Sequence, residues 1–187
     1  MKRFLFLLLL AAFPLRAETL SLLMGAGVYH PSSSPYRLLY GSYQPRFFLG
    51  AERRVSPSVR LFLHLQGGKK RGTSVPEEPL FPEEGFPLEV QTLTVALGLG
   101  GVIPFPGGGR LFFGAAPLYG WVEERGMDEE KRFKGWGWTA RLRGEYPFVS
   151  RLSLFLQGSW VGLSPKGEGR RIECGGAALE AGLRLNL

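Results

Sequence analysis

Hydrophobic and polar residues alternate along most of the chain after residue 18. In the segment that starts at Arg151, the residues Leu152, Leu154 and Leu156 share one parity, and Ser153 lies between two of them on the other. A period of two predicts β-strands whose two faces meet different surroundings. We predict eight strands, at Thr19–His30, Leu38–Val55, Ser58–Gly67, Leu88–Val102, Arg110–Val122, Gly135–Tyr146, Arg151–Leu163 and Ala177–Leu187.

The lengths of these segments and of their connections favour a membrane. Strands of soluble proteins usually have about 5–6 residues, whereas strands that cross a bilayer need about 9–11, and most of the eight are of the longer kind. Short turns on one side and long loops on the other are typical of outer-membrane barrels. The short connections are Ser56–Pro57, Pro104–Gly109 and Pro147–Ser150, and the long polar ones are Gly67–Pro87, Glu123–Lys134 and Ser164–Gly176.

Aromatic residues support the same interpretation. All four tryptophans, Trp121, Trp136, Trp138 and Trp160, have the apolar parity and lie near the strand ends that lead into long connections. Such an arrangement predicts an aromatic girdle at one membrane surface, with Tyr146 and Phe47 near the other. The predicted fold is therefore all-β, an eight-stranded antiparallel up-and-down transmembrane β-barrel. A soluble barrel that binds an apolar ligand is the alternative, because it shows the same alternation with its faces inverted.

The N-terminus has the layout of a secretory signal peptide. Lys2 and Arg3 precede an apolar run from Phe4 to Ala12, which is about half the length needed to span a bilayer. We predict cleavage after Ala17, so residues 1–17 are a signal peptide and residues 18–187 the barrel domain. Loss of Lys2, Arg3 and Arg16 lowers the net charge from +7 to +4, and an exported chain of this kind is not expected to bind nucleic acid.

On these features the chain resembles the small eight-stranded outer-membrane barrels of the OmpA/OmpX-like kind. The alternation that ends at Leu187 resembles the signal read by the barrel-assembly machinery, although the family usually ends in Phe or Trp. The resemblance implies residence in the bacterial outer membrane and contact with lipid and lipopolysaccharide. Because the sequence stops with the last predicted strand, we expect no peptidoglycan-binding domain of the kind that follows the barrel in full-length OmpA-type proteins.

Charged residues of the other parity are expected inside the barrel. An eight-stranded barrel has room only for side chains, so charges within it must be paired. We predict a closed polar lumen, not an open pore. Its network comprises Arg46, Glu52, Arg60, His64, Arg110, Arg141, Arg143, Glu145, Arg151, Glu180 and Arg184, with Gln44, Gln66 and Gln157 nearby.

Function is then expected in the long connections, which carry charges of both signs and could meet lipopolysaccharide or a partner outside the cell. The second carries Lys69, Lys70, Arg71, Glu77, Glu78, Glu83 and Glu84, and the third carries Glu123, Glu124, Arg125, Asp128, Glu129, Glu130, Lys131, Arg132 and Lys134.

Catalysis is the least favoured class. The sequence His30-Pro31-Ser32 superficially resembles the His-x-Ser of lipid A deacylases, but it lies in the first strand and lacks the following Asn. No acid is placed to orient that histidine as a base. Two His and the single Cys174 do not suggest a metal site. We therefore expect a non-enzymatic surface-interaction or envelope protein with no catalytic residues, no metal and no cofactor; a lipid A-modifying enzyme is the third hypothesis.

Overall fold

A computed structural model describes residues 20–74, 86–126, 129–167 and 169–187. The predicted signal peptide, residues 1–17, lies outside them, as do Glu77, Glu78, Glu83, Glu84 and Asp128. No helix in the described ranges is long and apolar enough to cross a membrane. The elements are β1 (Leu20–Pro31), α1 (Ser34–Tyr40), β2 (Gln44–Ser56), β3 (Val59–Ser74), β4 (Phe86–Pro104), β5 (Arg110–Gly126), β6 (Glu129–Val149), β7 (Leu152–Leu163), β8 (Lys166–Gly167), β9 (Arg170–Arg171) and β10 (Gly176–Asn186).

Eight long antiparallel strands form a closed ring. Their order is β5-β4-β3-β2-β1-β10-β7-β6, and a further pairing of β5 with β6 closes it. Directly paired residues followed once round the ring lead from Arg143 of β6 back to Phe133 of the same strand. The ring thus has a shear of ten residues, the separation of 143 and 133, which requires strands tilted by about 35–45°. The predicted fold class is confirmed.

The two faces of the ring have opposite chemistry. Aliphatic and aromatic side chains project outward from every long strand, as Leu49, Leu97, Leu156 and Leu179 do, each of them exposed. Arg, Glu and Gln side chains of the other parity are buried inside the ring. A soluble apolar-binding barrel requires the reverse distribution, so that alternative is wrong for this chain.

Helix α1 corrects the predicted second strand. Leu38–Tyr40 belong to the helix and the strand begins only at Gln44. Ser33 caps the N-terminus by accepting a hydrogen bond from the amide of Tyr36, and Gly41 ends the helix with a φ of 79°. The buried face of α1 consists of Tyr36 and Tyr40, so this connection folds back over one end of the ring.

One predicted long loop, Glu123–Lys134, is mostly strand, and the described parts of another, Gly67–Pro87, also belong to strands. β3 continues to Ser74 and β4 starts at Phe86, and β5 and β6 are joined by residues 127–128 alone. The charges predicted for loops stay in the ladder because they pair across it: Glu123 lies opposite Arg132, and Arg125 lies opposite Glu130. Arg125 and Arg132 each form ion pairs with both of these glutamates. We call this end of the ring the outer end, and the end with the short turns the inner end.

The fourth connection contains a small hairpin made of β8 and β9. Lys166 pairs with Lys134 of β6, and Arg171 pairs with Lys166. On its other side the hairpin is held by Arg170, whose guanidinium donates to Glu124 at 2.7 Å and lies 5.1 Å from the ring centroid of Phe133. The hairpin therefore extends the β6 side of the ring at its outer end.

Candidate functional site

The inner half of the barrel interior holds a compact ionic cluster. It is formed by Glu52, Arg60, Arg143, Glu145 and Arg184, which come from four different strands and are all buried. These residues project inward because each has the parity opposite to the lipid-facing leucines of its strand. Three cations surround two carboxylates, so every carboxylate in the cluster is shared by more than one arginine.

Short hydrogen bonds connect the cluster across the barrel. Arg143 donates to both oxygens of Glu52 at 2.7 Å, and its Nε donates to Glu145 at 2.8 Å. Arg60 donates to Glu145 at 3.0 Å and to Glu52 at 3.3 Å. Arg184 donates to Glu145 as well. Charge-assisted bonds of this kind are the strong class, and here they occupy the width of the ring.

His64 belongs to the same cluster. Its Nε2 lies 3.4 Å from Oε1 of Glu52, and the ring is wholly buried between Phe62 and Phe48, with centroids 4.9 and 5.9 Å away. Gly50 makes room for it, since a Cβ there would lie 2.6 Å from the imidazole. The imidazole therefore fills space between the ionic cluster and the aromatic core.

A second polar layer lies above the cluster, around Glu180. Gln66 and Gln157 donate to its two carboxylate oxygens at 3.1 and 2.7 Å. Arg46 stacks over the ring of Tyr29 at 4.5 Å, and Arg141 lies 5.5 Å from the ring of Phe62. The five buried arginines and three buried glutamates give the interior of the described ring a net charge of +2 when His64 is neutral.

An apolar cap closes the outer end. Tyr36 and Tyr40 of α1 pack in one cluster with side chains that line the mouth of the ring. The hydroxyl of Tyr40 donates to Glu124 at 3.2 Å, and that of Tyr29 donates to the carbonyl of Cys174. The remaining mouth residues of the cluster include Val90, Leu118, Val122, Phe133, Val161, Leu163 and Cys174.

Burial changes the acidity of the groups in the cap. It raises the pKa of the Cys174 thiol from 9.0 to about 12, with a smaller contribution from the charge of Glu124. It also raises the pKa of Tyr36 and of Tyr40 well above the ordinary value of 10.0. A thiol with so little thiolate at neutral pH is a poor nucleophile.

Most of the predicted lumen residues come together, and two do not. Arg46, Glu52, Arg60, His64, Arg141, Arg143, Glu145, Glu180 and Arg184 are all buried in the interior. Arg110 and Arg151 are exposed at the inner end, because the first begins its strand and the second lies in the turn before β7. Parity alone could not show that the ring has already ended at these two positions.

The tryptophans lie on the outward face near the outer end. Trp121, Trp136, Trp138 and Trp160 are between 39% and 73% exposed. The ring centroid of Tyr119 lies 4.7 Å from that of Trp121 and 5.1 Å from that of Trp136. Phe47 is a correction: it is outward but belongs to the outer half of β2, three residues after the start at Gln44, because the predicted strand began too early.

The residues of the enzyme hypothesis are engaged with backbone. Nδ1 of His30 is 2.7 Å from the carbonyl oxygen of Ser42, and the hydroxyl of Ser32 donates to the carbonyl of Gly175 at 2.8 Å. Among the described residues, no three His, Cys, Asp or Glu side chains converge as metal ligands.

A closed ring with an apolar outer belt, a polar interior and aromatic residues near one rim defines a transmembrane β-barrel protein. Solved structures support this class. The chain is similar to Neisserial surface protein A, with 12% identity, a TM-score of 0.65, and coverage of 90% of this chain and 97% of the other. It is also similar to OprG from Pseudomonas aeruginosa, with 10% identity, a TM-score of 0.68, and coverage of 90% and 95%.

A third similar structure is Ail, the attachment invasion locus protein of Yersinia pestis, with 11% identity, a TM-score of 0.53, and coverage of 90% and 99%. No family model matches the chain, and no curated protein matches it by sequence. The fold is therefore that of the small OmpA/OmpX-like outer-membrane barrels. Together with the apolar belt, this fold makes the chain a membrane-spanning barrel of the outer-membrane type.

Proposed function

We propose that this barrel is a non-enzymatic outer-membrane protein that holds a rigid charged surface outside the cell for envelope integrity or attachment. The observation that carries the proposal is the filled and capped interior. Arg143 is joined to Glu52 across the ring at 2.7 Å and to Glu145 of its own strand at 2.6 Å, and the rings of Tyr36 and Tyr40 are packed into the outer mouth. Such a barrel transmits no solute of appreciable size, so its activity lies at its outer surface.

The outer surface supports the proposal because its charges are held in fixed positions. In the β5–β6 hairpin, Arg125 and Arg132 lie in register with Glu130 and Glu123, and four ion pairs bridge them. Each exposed pair adds little stability on its own. An ordered array of both signs instead offers a partner a defined pattern of charge.

The engagement of His30 and Ser32 with backbone carbonyls supports a non-catalytic role. A nucleophilic hydroxyl needs a base within hydrogen-bond reach, whereas the hydroxyl of Ser32 donates to Gly175 and the imidazole of His30 contacts Ser42. The lipid A-modifying hypothesis is tested by the H30A and S32A variants. Unchanged lipid A acylation in cells that express them is expected, and an acylation change that requires both residues would restore the enzyme hypothesis.

Heat-modifiable migration tests the barrel and its location first. Outer membranes from expressing cells are run in SDS with and without boiling. We expect the protein in that fraction, with a mobility that changes on boiling, because a closed barrel stays folded in SDS until heated. A periplasmic protein with one mobility contradicts the assignment.

Reconstitution in planar bilayers tests the closed interior. The wild-type barrel is expected to give no steady conductance. The E52A/R143A variant lacks the bridge across the ring and serves as the comparison. We expect steady conductance from this variant and not from the wild type. Steady open-channel steps from the wild type would overturn the proposal of a closed barrel.

Attachment is tested by shortening the β5–β6 hairpin. Residues 123–132 are replaced by Asn-Gly, so that Val122 and Phe133, which pair directly, remain the last rung of the ladder. The matched control replaces Gly107 and Gly108 in an inner turn, where both have positive φ, by Asn-Gly. We expect cells with the shortened hairpin to lose surface attachment while the control keeps it; equal attachment by both would refute a role for this surface.

A further inference from the structure

One continuous row of outward-facing residues crosses five strands at the outer end. Leu93 of β4 pairs with Trp121 of β5, Trp121 with Lys134 of β6, Lys134 with Lys166 of β8, and Lys166 with Arg171 of β9. Directly paired residues project from the same face of a sheet. All five of these side chains are exposed, and we call them the interface row.

The interface row lies where the outward face changes from apolar to charged. One step toward the membrane, Tyr119 pairs with Trp136, and one step away, Glu123 pairs with Arg132. Aromatic side chains of the Trp and Tyr type collect at the level of lipid headgroups. The three cations of the row therefore lie at headgroup level and not in the bulk solvent above it.

Within the described residues, these cations differ from their neighbours in having no carboxylate partner. Lys69 and Arg71 pair with Glu89, and Arg125 and Arg132 pair with Glu123 and Glu130. In the interface row Lys134 has Trp121 on one side and Lys166 on the other, and Lys166 has a second cation, Arg171, beyond it. Directly opposed like charges destabilise a sheet, and a shared anion removes that repulsion.

The hairpin is built to keep this orientation. Arg170 points to the opposite face from Arg171, donates to Glu124 and stacks over Phe133. The backbone amide of Ile172 donates to the carbonyl of Pro165 at 3.1 Å and closes the hairpin. Arg171 is thereby directed to the outside, next to Lys166 and Lys134.

We infer that Lys134, Lys166 and Arg171 bind the phosphate of an outer-leaflet lipid headgroup, with the lipid tails lying against the neighbouring Trp136 and Trp138. Directly paired residues of antiparallel strands have Cα atoms about 5 Å apart, so the three cations can converge on one phosphate. Lysine supplies a mobile point charge and arginine a planar fork for phosphate oxygens. The inference rests on the membrane placement and not on the proposed surface-attachment role.

The test uses the full barrel in uncharged maltoside micelles, with phosphatidic acid as the probe and diacylglycerol as its phosphate-free counterpart. Native mass spectrometry measures the lipid that stays bound. We expect phosphatidic acid to be retained over diacylglycerol, and K134Q/K166Q/R171Q to weaken that retention at least about tenfold. The matched control K69Q/R71Q/R125Q also removes three positive charges at the outer end, but from residues already paired with glutamates, and should bind within about twofold of the wild type.

The outcomes separate the sources of the phosphate. Equal losses in the two triple variants would show a general charge effect and overturn the site. Displacement of phosphatidic acid by millimolar inorganic phosphate would show that the interface row binds free anions and would overturn the proposal of a lipid ligand. Heat-modifiable migration checks that each variant is folded. The lipid-binding result does not depend on the proposed function, because it stands even if the barrel conducts ions or the shortened hairpin keeps its attachment.

Discussion

Arg143 and Glu52 face each other across the full width of the barrel. Their strands, β6 and β2, are four places apart in either direction round the ring of eight. The guanidinium donates to both carboxylate oxygens at 2.7 Å, and neither side chain has any exposed surface. The bridge therefore joins opposite walls that no backbone hydrogen bond connects.

Glu52→Gln is expected to destabilise the barrel by about 3 kcal/mol, because Arg143 and Arg60 would then share only Glu145 in a buried place. The E52L/R143M double variant should lose less, since it removes both charges together. Urea unfolding in micelles, followed by tryptophan fluorescence, measures the difference. Glu89→Gln breaks exposed pairs at the outer end, which solvent screens, and should lower the free energy of unfolding much less than Glu52→Gln; an equal cost for both substitutions would contradict the argument.

Gly72→Ala is expected to lift α1 from the mouth of the barrel. A Cβ at this position would lie 1.9 Å from the carbonyl oxygen of Leu39, a contact that backbone cannot relieve without moving. We expect faster trypsin cleavage after Arg37 in the folded, membrane-inserted protein. Gly67→Ala in the same strand is the matched control, because its nearest contact would be 3.6 Å and cleavage should stay at the wild-type rate.

Cys174 is expected to react slowly with maleimide at pH 8 in the folded barrel and rapidly after boiling in SDS. The thiol is 5% exposed and its pKa is raised to about 12. Labelling followed by mass determination measures both rates. A C174S/S58C variant, with the thiol in an exposed inner turn, should react rapidly in both states; fast labelling of native Cys174 would show that the cap is open.

The same shift makes stability depend on pH in a defined window. Between pH 9 and about 12 the folded chain keeps a thiol proton that the unfolded chain has lost. The contribution of the buried, protonated thiol to the free energy of unfolding is complete below pH 9 and is lost as the pH rises toward 12. C174S should therefore unfold with a shallower alkaline slope than the wild type, and the residual slope above pH 10 should come from the raised pKa of Tyr36 and Tyr40.

Lipid quenching measures the depth of the aromatic cluster. In a W121F/W138F/W160F variant only Trp136 reports, and we expect stronger quenching by lipids brominated near the headgroup than by lipids brominated near the bilayer centre. The comparison variant carries L97W, and all four native tryptophans in it are replaced by Phe. Leu97 lies about 13 Å along β4 from Leu93, so its quenching order should be reversed; the same order at both positions would contradict the interface assignment.

The alternation of the chain was sufficient to predict the barrel, because each spanning strand has lipid on one side and polar side chains on the other. It also indicated which charges face inward, as Glu52 and Arg143 do. It failed at the ends of strands, where the two environments merge. Arg110 has the inward parity but lies beyond the closed part of the interior and is exposed.

Some elements have local signals that a period of two does not capture. Tyr36, Leu39 and Tyr40 have helical spacing, and they follow a Ser33 cap and precede Gly41. The β5–β6 extension resembled a loop because it is highly charged, yet its charges pair across the strands. The contact of Tyr40 with Glu124, 84 residues apart in sequence, depends on closure of the ring and has no local signal.

The pairing of β1 with β10 differs from every other contact between long strands. It joins Ser21 to Asn186 and continues to Pro31 and Gly176, so the first and the last of the described strands lie side by side. All other long strands pair with the long strand next to them in sequence. Until the last strand arrives, two rows of unbonded amides and carbonyls would face hydrocarbon, at several kcal/mol for each group. The barrel is consequently closed only when β10 has paired with β1, so any interruption of this one seam leaves both strand edges open to lipid.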